Sequence, residues 1–202
     1  MKIEVAHQVI EQTLSRPRYE HTIRVAETAE QLAERFNVST KDALLAGLLH
    51  DYAKEYPVAV LQTYITQFNL PNDLLEFHHE LWHAPVGAKL LEQKYPELDR
   101  AVILAIKFHT TGRANMTPLE KILFVADYIE PGRTFAQVEE VRELAIVNID
   151  KAVQRALRNT LVFLASKNVT IYPDTLYAYN ELTNNKEDDS IHGNKRTSPS
   201  SS

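Results

Sequence analysis

The stretch ALLAGLLHDYAK, residues 43–54, decides how the chain folds. Its first seven residues are apolar or glycine on every side. A helix built from them has no face for water and must lie inside other helices. The run then meets His50 and Asp51, and ionisable groups are rarely buried without partners. Gly47, His50, Asp51 and Lys54 fall at i, i+3, i+4 and i+7 and so share one face of a helix. Ser39 or Thr40 caps its start, Asp42 favours the positive end of its dipole, and Pro57 is expected to end it. His50 and Asp51 therefore need a partner inside the core.

Helical periodicity continues on both sides. Residues 2–14 form a first amphipathic segment. Pro17 suits the first turn of a second helix running to about Phe36. Its apolar stripe is Val25, Ala29, Leu32 and Phe36, and His21 falls on that stripe, four residues before Val25. A looser stretch follows Pro57 to about His83, and Pro85 opens a helix through Tyr95. Residues 97–109 put Val102, Ala105, Ile106 and His109 on one face. Thr117-Pro118 with Glu120 reads as a capping box for the next helix. Its stripe includes Leu119, Ile122, Leu123 and Ala126, with Asp127 directly after, and Pro131-Gly132 stops it. One long amphipathic helix is expected over 138–165. The fold class is all-α, a helical bundle with its domain at 1–182. Residues 183–202, TNNKEDDSIHGNKRTSPSSS, are polar and low in complexity and are expected to be a disordered tail.

Composition removes several classes of function. The formal net charge is −5, so no global basic field attracts nucleic acid or an anionic membrane. A polyanionic ligand must be met by a local cluster or a metal. There is no cysteine, which excludes disulfides and thiolate metal sites and fits a reducing, cytoplasmic setting. The N-terminal MKIEVAHQVIEQTL has no apolar core of a signal peptide. No stretch approaches the roughly 20 apolar residues of a membrane span.

With eight histidines in the chain, a lone His-Asp dipeptide carries little weight. The ordered set His21, His50-Asp51, Asp127 carries more, because periodicity turns each member inward. Neutral imidazoles and carboxylate oxygens together suit a borderline or hard divalent ion such as iron or manganese. Two histidines and two aspartates leave coordination positions open for water and a phosphate oxygen. Such an ion lowers the pKa of its water and polarises a phosphoryl group. Taken singly, His21 is more often a satisfied core histidine, Asp51 is as readily an interhelical ion pair, and Asp127 could simply pair with Arg133 or Lys121.

The pattern H…HD…D resembles the HD-domain superfamily of helical, metal-dependent phosphohydrolases. The stretches RYEHTIRVAETAEQLA, AGLLHDYAKEYP, HAPVGAKLL, KFHTTGR, KILFVADYIEPGR and IYPDTLYAYN are similar to the bacterial YqeK family. They run from Arg18 to about Asn180. The resemblance implies an HD-domain helical bundle that hydrolyses dinucleoside tetraphosphates symmetrically, diadenosine tetraphosphate giving two ADP, with bound iron. Manganese or another divalent metal is the alternative ion. The implied metal ligands are His21, His50, Asp51 and Asp127. The partners implied are a small-molecule dinucleoside polyphosphate or ADP, and the resemblance also admits a homodimer.

The remaining residues of these motifs acquire roles around that centre. The candidate catalytic residues are Asp51, His83 and His109. The candidate substrate contacts are His21, Asp51, Lys54, His83, His109, Thr110, Asp127 and Arg133. Lys54 serves a phosphate, against the plainer reading of a solvated lysine. Arg133 clamps another phosphate bidentately, against the reading of a helix-end cation. His83 and His109 donate to phosphate oxygens or protonate the leaving phosphate; the competing use of that pair is a second metal. Tyr172 or Phe135 could stack on a purine, although such aromatics are more often core. His78 and His79 are expected at the surface, and His7 and His192 outside the chemistry. Two other functions share these residues: a nucleotidase or triphosphohydrolase acting on mononucleotides, and a non-catalytic nucleotide-binding adaptor. A cyclic-dinucleotide phosphodiesterase would need extended motifs that are not evident here.

Overall fold

The structure, a computed structural model, describes residues 1–191, with side chains described through residue 184. At its hub is α3 (Thr40–Leu49), against which α1 (Ile3–Thr13), α2 (Arg16–Arg35), α6 (Arg100–Phe108) and α7 (Pro118–Ile129) all pack. Its all-round apolarity requires this: Ala43, Leu45, Ala46, Leu48 and Leu49 are 0–3% exposed. α5 (His83–Lys94) lies on α6, α8 (Val138–Val147) and α9 (Ile149–Ser166) cover α7, and α10 (Pro173–Ile191) lies on α9. α4 (Val58–Gln67) and two short 3-10 turns, Asn72–Glu76 and His79–Leu81, flank α5. They enclose a smaller core of Ala53, Leu61, Ile65, Leu74, Trp82 and Val86. Every regular element among the described residues is helical, as expected. No helix among them is long and apolar enough to cross a membrane.

Helix ends show how so few glycines suffice. α2, α4 and α9 each close on an asparagine with positive φ: Asn37 (55°), Asn69 (50°) and Asn168 (53°). At each end two backbone bonds recur, such as Val38 N–H to Ala33 O at 2.9 Å and Asn37 N–H to Glu34 O at 3.4 Å. These are Schellman motifs, in which asparagine tolerates the left-handed residue that glycine usually supplies. The capping box at α7 forms as expected. Thr117 Oγ1 accepts from Glu120 N–H, and Glu120 accepts from Thr117 N–H. Ser39, rather than Thr40, caps α3.

Several expected boundaries move. α3 stops at Leu49 instead of near Pro57, and His50 is its C-cap. Residues 51–56 follow in turns bonded three residues apart, such as Lys54 N–H to Asp51 O at 2.8 Å, so Lys54 does not continue a helical face. α4 occupies part of the stretch expected to be loose, and α5 begins at His83, two residues before Pro85. The single helix expected over 138–165 is two helices. Between them Asn148 is extended, and its side chain accepts from Lys151 N–H at 3.0 Å, capping α9. α10 runs past Leu182 into the segment expected to be a disordered tail. The rest of that segment, 192–202, with His192, lies outside the described residues.

At Gly47 the backbones of α2 and α3 approach closely. A Cβ on Gly47 would stand 2.4 Å from Ala26 Cα. Glycine is required there by a neighbouring helix rather than by a ligand. Gly47→Ala must push the helices apart. Overpacking of that kind costs about 1–3 kcal/mol, against about 1 kcal/mol returned by the better helix propensity of alanine. A net loss of up to about 2 kcal/mol is expected, read as a lower urea midpoint with unchanged m-value.

Candidate metal centre

Four imidazoles and two carboxylates from five elements meet at one end of α3. His21 comes from the first half of α2, His50 and Asp51 from the end of α3, His83 from the start of α5, His109 from the end of α6 and Asp127 from α7. His21, His50, Asp51, His83 and His109 are each 0–7% exposed. Asp51 sits between the histidines. Its Oδ2 is 3.3 Å from His50 Nε2 and 3.8 Å from His21 Nε2, and its Oδ1 is 3.1 Å from His83 Nε2 and 3.9 Å from His109 Nε2. Asp127 Oδ1 lies 3.2 Å from His21 Nε2. One ligand atom each from His21, His50 and Asp127 lie within 4.8 Å of one another, and so do those of His50, Asp51 and His109.

Hydrogen bonds at the outer ring nitrogens set the tautomers. His50, His83 and His109 each donate Nδ1–H to the carbonyl three residues earlier: Gly47 at 2.7 Å, Glu80 at 2.8 Å and Ile106 at 2.7 Å. His21 Nδ1 faces Glu130 Oε1 at 3.1 Å. A carbonyl or carboxylate oxygen can only accept, so Nδ1 carries the proton and Nε2 the inward lone pair. This also accounts for the early end of α3. The last four carbonyls of a helix lack helical partners, and those of Gly47 and Ile106, near the ends of α3 and α6, are taken by imidazoles.

The result is a buried centre rich in acceptors. The Nε2 atoms of His21 and His50 are buried with no hydrogen-bond partner. Those of His83 and His109 face each other at 3.2 Å, two lone pairs that need a proton or a cation between them. Burial alone would raise the pKa of Asp51; the imidazoles of His50 and His83 outweigh it and hold the carboxyl well below the usual range. Burial also opposes a charged His50, but Asp51 and Asp127 raise its pKa. Burial, reinforced by His50 and His83, pushes His109 down to about 3, so at neutral pH it accepts rather than donates at Nε2. These donors fit a divalent cation, which would displace the proton that Asp51 and Asp127 favour on His50: imidazoles, ionised carboxylates and orphaned buried nitrogens.

A cavity of about 550 Å³ opens onto this centre. Asp51, His83, His109 and Asp127 line it, with Arg18, Lys54, Thr110 and Arg133 around them. Arg18 Nη1 donates to Asp51 Oδ2 at 3.0 Å, Arg133 Nη2 to Asp127 Oδ1 at 2.6 Å, and Lys54 Nζ to Glu80 Oε2 at 2.6 Å. Its cations, Arg18, Lys54 and Arg133, are matched by three carboxylates, Asp51, Glu80 and Asp127. The site is therefore balanced until a metal adds two positive charges.

Sequence reasoning gave no role to Arg18 or Glu130. Arg18 precedes His21 by three residues and Glu130 follows Asp127 by three, the helical spacing that would have found both. Glu130 is 2% exposed and gathers His21 Nδ1, Arg24 Nε at 2.6 Å and Gly132 N–H at 2.6 Å. It holds the His21 ring as carboxylates behind metal-binding histidines do. Phe135 borders the cavity, whereas Tyr172 packs edge-on against Phe77 with the smaller core and is not a lining residue. His78 and His79 are exposed.

The chain is similar to proteins already known. Residues 18–132 match the HD domain family. The chain is 44% identical over 182 residues to the symmetrical bis(5'-nucleosyl)-tetraphosphatase of Bacillus subtilis, covering 90% of this chain and 98% of that protein. It is 41% identical to the protein of that name from Staphylococcus aureus, covering 89% and 94%. A solved structure from Clostridium acetobutylicum, described as a predicted HD superfamily hydrolase involved in NAD metabolism, superposes with a TM-score of 0.86. It is 35% identical, over 92% of this chain and 98% of that one. Over nearly its whole described length, then, the chain belongs to the YqeK family of the HD-domain superfamily.

Proposed function

We propose that the protein hydrolyses dinucleoside tetraphosphates symmetrically, diadenosine tetraphosphate giving two ADP, with iron held by His21, His50, Asp51 and Asp127. The observation that carries the metal is the pair of orphaned Nε2 atoms on His21 and His50, buried beside two ionised carboxylates. The relatives' shared activity supports the substrate. When bound, the ion supplies Lewis acidity and an activated water.

The chain's own groups do the rest. Arg18, Lys54 and Arg133 border the cavity at three separate points and spread the charge of a polyphosphate. In-line phosphoryl transfer depends mostly on such positioning and charge neutralisation. Arg18 and Arg133 also hold the carboxylates of Asp51 and Asp127 in place. His83 and His109 set their Nε2 atoms 3.1 and 3.9 Å from Asp51 Oδ1.

That last feature favours a second reading of His83 and His109. Their Nε2 atoms, 3.2 Å apart beside Asp51 Oδ1, suit a second ion that His83, His109 and Asp51 would hold.

Two outcomes follow. Purified protein with ferrous iron should convert diadenosine tetraphosphate to ADP alone, seen by ion-exchange chromatography. Chelation, or Asp51→Ala, should reduce turnover by roughly 100-fold or more, since even residues that only orient metal ligands cost 10–100-fold. ATP with AMP would overturn the symmetrical assignment. The second reading predicts two metal equivalents per chain by elemental analysis, falling to one in the His83→Ala/His109→Ala double variant. One equivalent in both returns the pair to substrate contact.

A further inference from the structure

The turn after α7 brings Arg133 to the metal cavity, and two arginines outside the cavity's lining hold that turn: Arg24 of α2 and Arg142 of α8. Glu130 O accepts from Arg133 N–H at 2.9 Å and closes a β-turn around Pro131 and Gly132. The last carbonyls of a helix lack helical partners, and here guanidinium groups supply them. Arg142 donates Nε–H to Ile129 O, and Nη2–H to both Glu130 O and Arg133 O, each at 2.9 Å. Arg133 itself donates Nε–H to Asp127 O at 3.0 Å. Arg142 therefore pins the backbone of the turn at both of its ends.

Arg24 holds the side chain of Glu130 instead. Glu130 Oε2 accepts from Arg24 Nε–H and from Gly132 N–H, both at 2.6 Å, which leaves Oε1 to face His21 Nδ1 at 3.1 Å. Arg24 and His21 are three residues apart on α2, so one carboxylate can meet both. A Cβ on Gly132 would stand 2.6 Å from Arg24 Nη2 and 2.9 Å from Glu130 Oε2. Gly132 does not have positive φ, so what requires glycine there is room for the guanidinium.

Resting on the metal centre and the activity proposed above, we infer that Arg24 and Arg142 are positioning residues with separate tasks. Arg24 acts through Glu130 on His21 and governs affinity for the metal. Arg142 acts through the carbonyls of the turn on Arg133 and governs affinity for phosphate. Both tasks need a guanidinium. Its planar fork reaches three carbonyls at once in Arg142, where the ammonium of a lysine is a single point of charge.

The test reads the two affinities separately. Manganese is titrated into each protein and the free ion followed by electron paramagnetic resonance. Radiolabelled ADP is bound by equilibrium dialysis at saturating manganese. Groups behind metal-binding histidines are worth roughly 10–100-fold in metal affinity. Arg24→Ala is expected to weaken manganese binding by about tenfold and to leave ADP binding unchanged. The double variant Arg24→Ala/Glu130→Ala is expected to bind manganese no more weakly than Glu130→Ala, because Arg24 acts through that carboxylate. Arg142→Ala is expected to leave manganese unchanged and to weaken ADP by about tenfold, the scale of one charged hydrogen bond, and Arg142→Lys to recover only part of the loss. The affinity that each arginine variant retains shows that it is folded. Parallel losses of both ligands, no loss of either, or additive losses in the double variant overturn the assignment. Hydrolysis of diadenosine tetraphosphate is followed in the same preparations. Wild type that binds no manganese overturns the metal centre on which the assignment rests, whereas wild type that binds both ligands without hydrolysis overturns the activity and leaves the two positioning roles standing.

Discussion

One carboxylate sets the terms for the rest of the molecule. Asp51 is 2% exposed, and both of its oxygens face imidazole nitrogens. A buried anion among neutral acceptors is costly unless cations compensate. Arg18 supplies one contact from the edge. It does not reach the lone pairs of His21 and His50, which remain without a partner. The stability of the centre and its chemistry thus share one requirement, positive charge delivered to its middle.

The bundle is shaped to present that requirement in one geometry. Gly47 lets α2 and α3 approach until only hydrogen fits between them, which carries His21 toward His50. Helices α3 and α6 end where they do because His50 and His109 take carbonyls of the last helical turn. Each of those bonds fixes a tautomer and a ring orientation together. Glu130 does the same for His21 while tying in Arg24 and the turn at Gly132. Strength of packing and precision of the ligand set are therefore the same property seen from two sides.

Much of this was legible in the amino-acid order. The all-apolar ALLAGLL segment requires a central helix, and helical spacing alone turns His21, His50 and Asp127 inward. What escaped reading depends on tertiary partners. Nothing local says that Gly47 O is claimed by an imidazole, so periodicity alone carries α3 past His50 and puts Lys54 on it. The break at Asn148 was readable from an asparagine cap with Asp150 in the following turn, but the amphipathic period ran through it and concealed it. α4 and α10 have weak periodicity and are held by packing. Arg18 and Glu130 acquire meaning only once Asp51 and His21 stand beside them. Tyr172 and Phe135 look equivalent in sequence and are separated by the fold, one into a core and the other onto the cleft.

The activity proposed for this cluster, once a metal is bound, is attack of water on a central phosphorus of the tetraphosphate. Hydrolysis of diadenosine tetraphosphate in oxygen-18 water tests it most directly. The account predicts ADP as the only nucleotide product, one of every two molecules carrying a single heavy oxygen on its terminal phosphate, and no labelling once the metal is stripped. Heavy oxygen in AMP or ATP, or labelled ADP formed by metal-free protein, would contradict it.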